Sequence, residues 1–211
     1  MLQEDYIMKM IEQFAAFLWA IVFNKKIKNY DSAIEKIEEA YNGLLNTDGN
    51  KIKDLEVNEI IRDNTYGNVL NKDNIDIIAN LLFEEADILE QINSLNTISL
   101  EYYQKAFVLF CLLANEENIQ KHEKINEIIN KLKDYEITNE TKYKIYEYYE
   151  GQGLFGRAED KLYELKASNY LNITNEIKAF YKRILKKDDE TLEKGNLPRN
   201  EIIEEMNKLQ A

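Results

Sequence analysis

Chemistry requires particular side chains at particular spacings, and few stretches of the sequence offer them. Gly151, Gly153 and Gly156 spell G-x-G-x-x-G, a pattern that in a dinucleotide-binding unit follows a β-strand and brings a pyrophosphate to a helix N-terminus. Here residues 143–149 read as helix and no second parallel strand lies nearby, so the glycines are expected to form an interhelix turn. His122, the only histidine, stands between Lys121 and Glu123. No Ser or Cys lies at a motif spacing from it, which places it on a helix surface or at the edge of a core. Cys111 falls in the apolar stretch 107–113, where a thiol packs as a small hydrophobe and its pKa rises against thiolate chemistry, so it is expected in the core.

Metal chemistry fares no better. One histidine and one cysteine cannot build a zinc site, and no Glu-x-x-His pair of the di-iron bundle type occurs. Glu84, Glu85, Asp87 and Glu90 therefore read as a solvated face. A carboxylate-only calcium or magnesium site stays open as an alternative, without an EF-hand-like loop to support it. No catalytic residue, cofactor or metal ligand is expected.

Composition narrows the class. The chain has 211 residues, 27 basic against 39 acidic, for a formal net charge of -12. That charge repels phosphate backbones and anionic membranes. The one basic cluster, Lys182, Arg183, Lys186 and Lys187, runs at once into Asp188, Asp189 and Glu190 and reads as a solvated helix end. A single cysteine excludes an intrachain disulfide and fits a reducing, cytoplasmic setting. Glu4 and Asp5 stand where an export signal would carry positive charge. The apolar run 14–23 is half of the roughly 20 residues that span a bilayer, so neither a membrane span nor a nucleic-acid partner is expected.

With one proline and seven glycines the chain favours helix throughout, since helices avoid both in their interiors. Ile7, Met10, Ile11 and Phe14 form one face of a first helix over 6–23, which then turns apolar all round. A second helix, 30–45, places Ile34, Ile37, Tyr41, Leu44 and Leu45 on one stripe. Residues 46–73 are least periodic and hold one short helix near 55–62. Ile77, Ile78, Leu81, Leu82, Ile88, Leu89 and Ile92 mark the next, followed by a helix capped at Ser99 and running to 114. Further helices are expected to end near Asp134, to run from a Thr138 cap to the glycine turn, and over 157–166, 174–186 and 198–209, the last begun by Pro198. The total is nine or ten, in one domain of 1–211 with a weak subdivision near 46–73.

The segment 143–165, YKIYEYYEGQGLFGRAEDKLYEL, resembles a tetratricopeptide repeat: a helix of large residues, a glycine turn, then a helix with a small residue at Ala158 and apolar Leu162 and Leu165. The second-helix pattern recurs as Ala33, Ile37, Ala40 and as Ser99, Tyr103, Ala106. Lys142, Tyr146 and Tyr170 replace the tryptophan, glycine and proline usual in that family, and the patterns are 66 and 59 residues apart instead of a multiple of the repeat. With EDYIMKMIEQF, YDSAIEKIEEAY and LEKGNLPRNEIIEEM, the chain is similar to an uncharacterised bacterial family of tetratricopeptide-like proteins. The resemblance implies an all-α array of antiparallel helix hairpins, a degenerate tetratricopeptide-like superhelix, and carries no activity with it.

In such repeats the first helices line a groove, and Glu140, Tyr143, Glu147 and Glu150 correspond to that lining. Recurring every three or four residues, they share one helix face that would suit a protein partner or basic peptide. An ordinary exposed face fits the same residues. Phe14, Phe17, Leu18, Trp19, Ile21, Val22 and Phe23 present more apolar surface than one neighbouring helix covers, which points to a homodimer seam or to burial beneath the second and fourth helices, with peripheral membrane contact a distant third. The expected function is a non-enzymatic protein-interaction or scaffolding module, with a small-ligand-binding regulatory protein and a carboxylate-based metal-dependent enzyme as alternatives.

Overall fold

The computed structural model describes residues 2–94, 96–114 and 118–209, and side chains from residue 8 onward. The side chains of Glu4, Asp5, Tyr6 and Ile7 lie outside that description. Among the described residues the fold is all-α, with twelve helices and one two-stranded hairpin. The chain divides into two compact units, 1–134 and 135–211, so the aperiodic stretch 46–73 lies inside the first.

The first unit contains α1 (Leu2–Lys26), α2 (Tyr30–Leu45), α3 (Gly49–Asp54), α4 (Val57–Asp63), the hairpin β1 (Thr65–Tyr66) and β2 (Val69–Leu70), α5 (Lys72–Asn93), α6 (Thr97–Leu113) and α7 (Ile119–Leu132). Local chemistry sets several of these bounds. Asp48 caps α3 and Asn71 caps α5 through their side-chain oxygens. Asn96, and not Ser99, caps α6; Ser99 is the third helical residue and returns a bond to the Asn96 amide, closing a capping box. The short helix expected near 55–62 is α4, and the stretch 46–73 holds a second one, α3, separated from it at Leu55 and Glu56. Gly67 and Asn68 both take positive φ, the requirement of a type I′ turn, and pair Thr65 with Leu70 and Tyr66 with Val69. That hairpin went unread because a two-residue strand has no periodicity to show.

Helix α5 packs against α1, α2 and α6 and is buried on nearly every side, through Ile75, Ile78, Leu81, Leu82, Ala86 and Ile88. The solvated face expected there is wrong: Glu84 and Glu85 are only 5% and 6% exposed. The reading failed because a helix surrounded by other helices has no solvent side, so its carboxylates take cations from its neighbours. Lys25 of α1 bonds Glu84 and reaches Asp87 at 2.8 Å. Lys53 of α3 reaches Glu85 at 3.0 Å and Glu38 of α2 at 2.5 Å. Lys131 of α7 joins Asp87 at 3.1 Å to Glu90 at 2.7 Å, and Tyr103 of α6 donates to Glu90 at 2.7 Å. Lys124 stands 4.2 Å from the centre of the Phe83 ring. Gly49 makes room for this layer, since a Cβ there would lie 2.6 Å from both the Glu38 carboxylate and the Tyr41 ring.

Cys111 is half-buried instead of central to the core, and His122 is half-buried on α7. No helix is long and apolar enough to cross a membrane among the described residues.

The second unit contains α8 (Asn139–Gly151), α9 (Phe155–Ala167), α10 (Ile173–Ile184), α11 (Asp189–Lys194) and α12 (Arg199–Lys208). Thr138 caps α8 as expected. Helix α11, capped by Asp188, was hidden in the acidic run 188–190. Pro198 is the N-cap of α12 and not its first helical residue.

The ionic layer on α5 gives stability a defined pH dependence. Burial opposes ionisation of Asp87, but its bonds from Lys25 and Lys131 outweigh burial and hold its pKa down. Its contribution is present above the unfolded value of about 3.9 and is lost as pH falls through the folded one. Burial likewise opposes the charge on Lys25, Lys53 and Lys131, yet their carboxylate partners raise all three. Their contribution is complete below about 10.4 and is lost as pH rises through the folded values. Glu85 works the other way, because burial raises its pKa beyond what Lys53 offsets. Urea midpoints are therefore expected to fall both below about pH 4 and above about pH 10.5. At pH 7, Lys53→Met, which strands Glu38 and Glu85, is expected to cost about 3 kcal/mol or more in urea unfolding.

Candidate functional site

Within the second unit, α8 places Tyr143, Tyr146, Glu147 and Glu150 toward one side at helical spacing. The chain leaves α8 through Gly153, whose φ of +71° is a conformation that residues with a Cβ rarely adopt. Gly156 follows in the first turn of α9, where its amide donates to the Gly195 carbonyl at 2.9 Å and a Cβ would lie 2.6 Å from the Asn196 carbonyl oxygen. The G-x-G-x-x-G pattern thus serves a turn and a close backbone approach. Helix α10 buries Ile173, Ile177, Phe180, Tyr181 and Ile184, which leaves Glu176 and Arg183, two turns apart, on the edge that meets Tyr146 and Glu150 of α8.

Between these edges lies an open cleft of about 1080 Å³, lined by Tyr143, Tyr146, Glu147, Glu150, Gly153, Glu176, Arg183, Lys186, Lys187 and Thr191 among others. Its floor is one connected network. Arg183 grips Glu150 with both arms, Nε to Oε1 at 2.8 Å and Nη2 to Oε2 at 2.9 Å, and Nη2 also reaches Glu176 at 2.8 Å and the Tyr146 hydroxyl at 2.6 Å. The Tyr146 hydroxyl lies 2.7 Å from both Glu150 and Glu176 and donates its one proton between them. Tyr143 packs edge-on against Tyr146 at 5.3 Å between ring centres. A guanidinium carries several donors in a fixed fork, which suits it to bond two carboxylates and a phenol at once.

Electrostatics follow from that network. Burial, then the bonds to Glu176 and Glu150, push the Tyr146 phenol well above its ordinary pKa. Burial would raise Glu150, but the Arg183 fork and the Tyr146 bond prevail and lower it. The Glu150 bond, opposed by burial, raises Arg183 still further. Each group is held in its resting protonation state. Glu147 pairs with Lys144 at 2.6 Å on the exposed face. Lys186 and Lys187 line the cleft and make no ion pair with any described residue.

Of the four groove residues expected from sequence, Tyr143, Glu147 and Glu150 line the cleft, whereas Glu140 is exposed outside it. The acidic character expected of that face is cancelled, because Arg183 occupies Glu150. Arg183 itself belongs to the network and not to a solvated helix end; Lys186 and Lys187 remain exposed. Tyr146 and Glu176 were missed. The available signal was their spacing: Tyr146 lies four residues before Glu150, and Glu176 seven before Arg183. The α1 set divides between two faces: Ile21 is fully buried and Phe14, Phe17 and Leu18 half-buried, while Trp19 and Val22 are exposed. Among the described residues no group of three or more His, Cys, Asp and Glu side chains is arranged to hold a metal ion.

A model of a family of unknown function, DUF6483, matches residues 72–211. The chain belongs to that family. The matched residues run from α5 to the end of the second unit and include every residue of the cleft, while α1 to α4 and the hairpin precede them. No curated protein and no solved structure matches the chain.

Tyr146→Phe removes one hydroxyl and leaves the Arg183 fork in place, so it is expected to cost about 1 kcal/mol in urea unfolding. Arg183→Met leaves Glu150 and Glu176 without their cation and is expected to cost about 1–2 kcal/mol, a figure kept small by the half-exposure of Arg183.

Proposed function

We propose that the chain is a non-enzymatic protein-interaction module whose second unit holds an acidic segment of a partner protein in the cleft between α8 and α10. The observation that carries this reading is the division of charge within the cleft: its carboxylates are engaged by Arg183, Tyr146 and Lys144, while Lys186 and Lys187 make no ion pair with any described residue, Lys187 acting on Glu150 only from a distance. Residues 135–211 carry 15 acidic and 13 basic side chains against 24 and 14 in 1–134, so the acidic excess of the chain belongs to the first unit and does not oppose an acidic ligand in the second. Tyr143 offers an aromatic surface beside the lysines, and rigid aromatic area next to charge is the common composition of protein-binding surfaces. A basic peptide, expected from the sequence, finds Glu150 already occupied.

A binding role is favoured over catalysis by the direction of the pKa shifts. General acids and bases are tuned toward the working pH, whereas Tyr146 is pushed up and Glu150 down, both away from neutrality. The tetratricopeptide-like reading is supported by burial: Ala33, Ile37 and Ala40, Ser99, Tyr103 and Ala106, and Ala158, Leu162 and Leu165 all lie in the cores of α2, α6 and α9. Each of these helices packs on the helix before it across a short connection. The same reading places the module in the cytoplasm, in keeping with its single cysteine.

The test is affinity capture with chemical cross-linking from native lysate on the full chain and on a Lys186→Glu, Lys187→Glu variant, with mass spectrometry of what is retained and of the cross-linked peptides. Both lysines are exposed, so the variant keeps its fold. Proteins held by the unaltered chain and lost from the variant, with acidic segments at the cross-linked positions, are the expected result. Equal capture by both forms, or cross-links only outside the cleft, would contradict the reading.

A further inference from the structure

Helix α1 buries one face and exposes another that is as apolar. Inward, Ile21 is fully buried, a Cβ on Gly43 of α2 would lie 3.8 Å from the Phe17 ring, and Lys25 is tied to Glu84 and Asp87 of α5, which fixes the rotation of the helix. Outward, Met8, Ile11, Trp19, Val22, Phe23 and Ile27 are 44–69% exposed. Trp19 and Phe23 stack 5.3 Å apart and within 9° of parallel, forming a flat aromatic plate in solvent. An exposed apolar strip along a helix of this length marks an interaction surface.

The arrangement of the strip says what covers it. At about 100° per residue, Glu12, Ala15, Ala16, Val22, Phe23 and Lys26 all fall within about 60° of Trp19 and are exposed. Reversing the helix about Trp19 carries Ile11 onto Ile27, Ala15 onto Phe23, Ala16 onto Val22 and Glu12 onto Lys26. Apolar residues meet apolar ones, small residues meet large ones, and an acid meets a base. Glu12 and Lys26 make no ion pair with any described residue, so both charges are available. A parallel pairing would instead oppose Glu12 to Glu12 and Lys26 to Lys26.

We infer that the outer face of α1 is an isologous seam on which two copies of the chain pack antiparallel about a dyad close to Trp19. A two-fold interface requires a surface complementary to its own reversal, and this strip meets that requirement in charge and in size. The two Trp19 rings meet at the dyad, Phe23 of one copy lies over the Ala15 and Ala16 bed of the other, and the Glu12 and Lys26 pairs close the two ends. The overlap from Ile11 to Ile27 covers about 25 Å of helix, a small seam for a net charge of -12, so dimerisation depends on concentration. The inference is independent of the cleft.

The test uses sedimentation equilibrium and the emission of Trp19, the only tryptophan, on the full chain across roughly 1–500 μM, the range in which small interfaces of this kind dissociate. A monomer–dimer equilibrium with blue-shifted emission in the dimer is expected. Glu12→Lys or Lys26→Glu alone should weaken the dimer by about tenfold, and the double exchange should restore it, because like charges at a pairing site oppose association. Circular dichroism checks that helix content is unchanged. A monomer throughout with fixed emission, single exchanges without effect, or a blue shift only on adding phosphatidylcholine vesicles would overturn the inference, the last by assigning the face to lipid.

Discussion

Buried charge must be compensated locally, and on α5 that requirement governs the whole first unit. Removing a carboxylate from water costs several kcal/mol unless a cation and hydrogen bonds replace the lost solvent. Glu84 and Glu85 are buried and Asp87 and Glu90 half-buried on neighbouring turns of α5, so α1, α3 and α7 each deliver a lysine to them. Apolar packing alone would let those helices rotate or slide. The ionic contacts fix their registers, and through Lys25 they decide which face of α1 is turned outward.

The second unit uses the same physics on a smaller scale. Arg183 bonds Glu150, Glu176 and Tyr146 together and thereby joins α8 to α10. The cleft above that network is held open by bonded groups, so a ligand need not spend binding energy ordering them. The cleft residues without an ion pair among the described residues, Lys186 and Lys187, are positive, although the surrounding chain is acidic. Under the proposed reading, local pairing and not net charge sets the preference of the site.

Helix type and position were legible wherever periodicity ran for three turns or more, as in α2, α5, α7 and α10. Short elements were not: α3, α11 and the hairpin are too brief for a repeating pattern, and their signals reside in single capping or turn residues such as Asp48, Asp188 and Gly67. The cleft was half legible. Tyr143, Glu147 and Glu150 follow from spacing along one helix, but Glu176 and Arg183 come from a helix more than 20 residues later, and only tertiary contact shows that Arg183 cancels Glu150. The same limit applies to α5, whose carboxylates look like a solvent face because a sequence does not display the cations that other helices bring to it.

The central claim is the charge preference of the cleft, and the most direct measurement is an NMR titration of the isotope-labelled full chain with a short oligoglutamate and, separately, a short oligolysine. The account predicts that oligoglutamate shifts the amide resonances of 143–153 and 183–191, that added salt reverses the shifts, and that oligolysine leaves those residues unmoved. Shifts of the same residues with oligolysine, or none there with oligoglutamate, would contradict it.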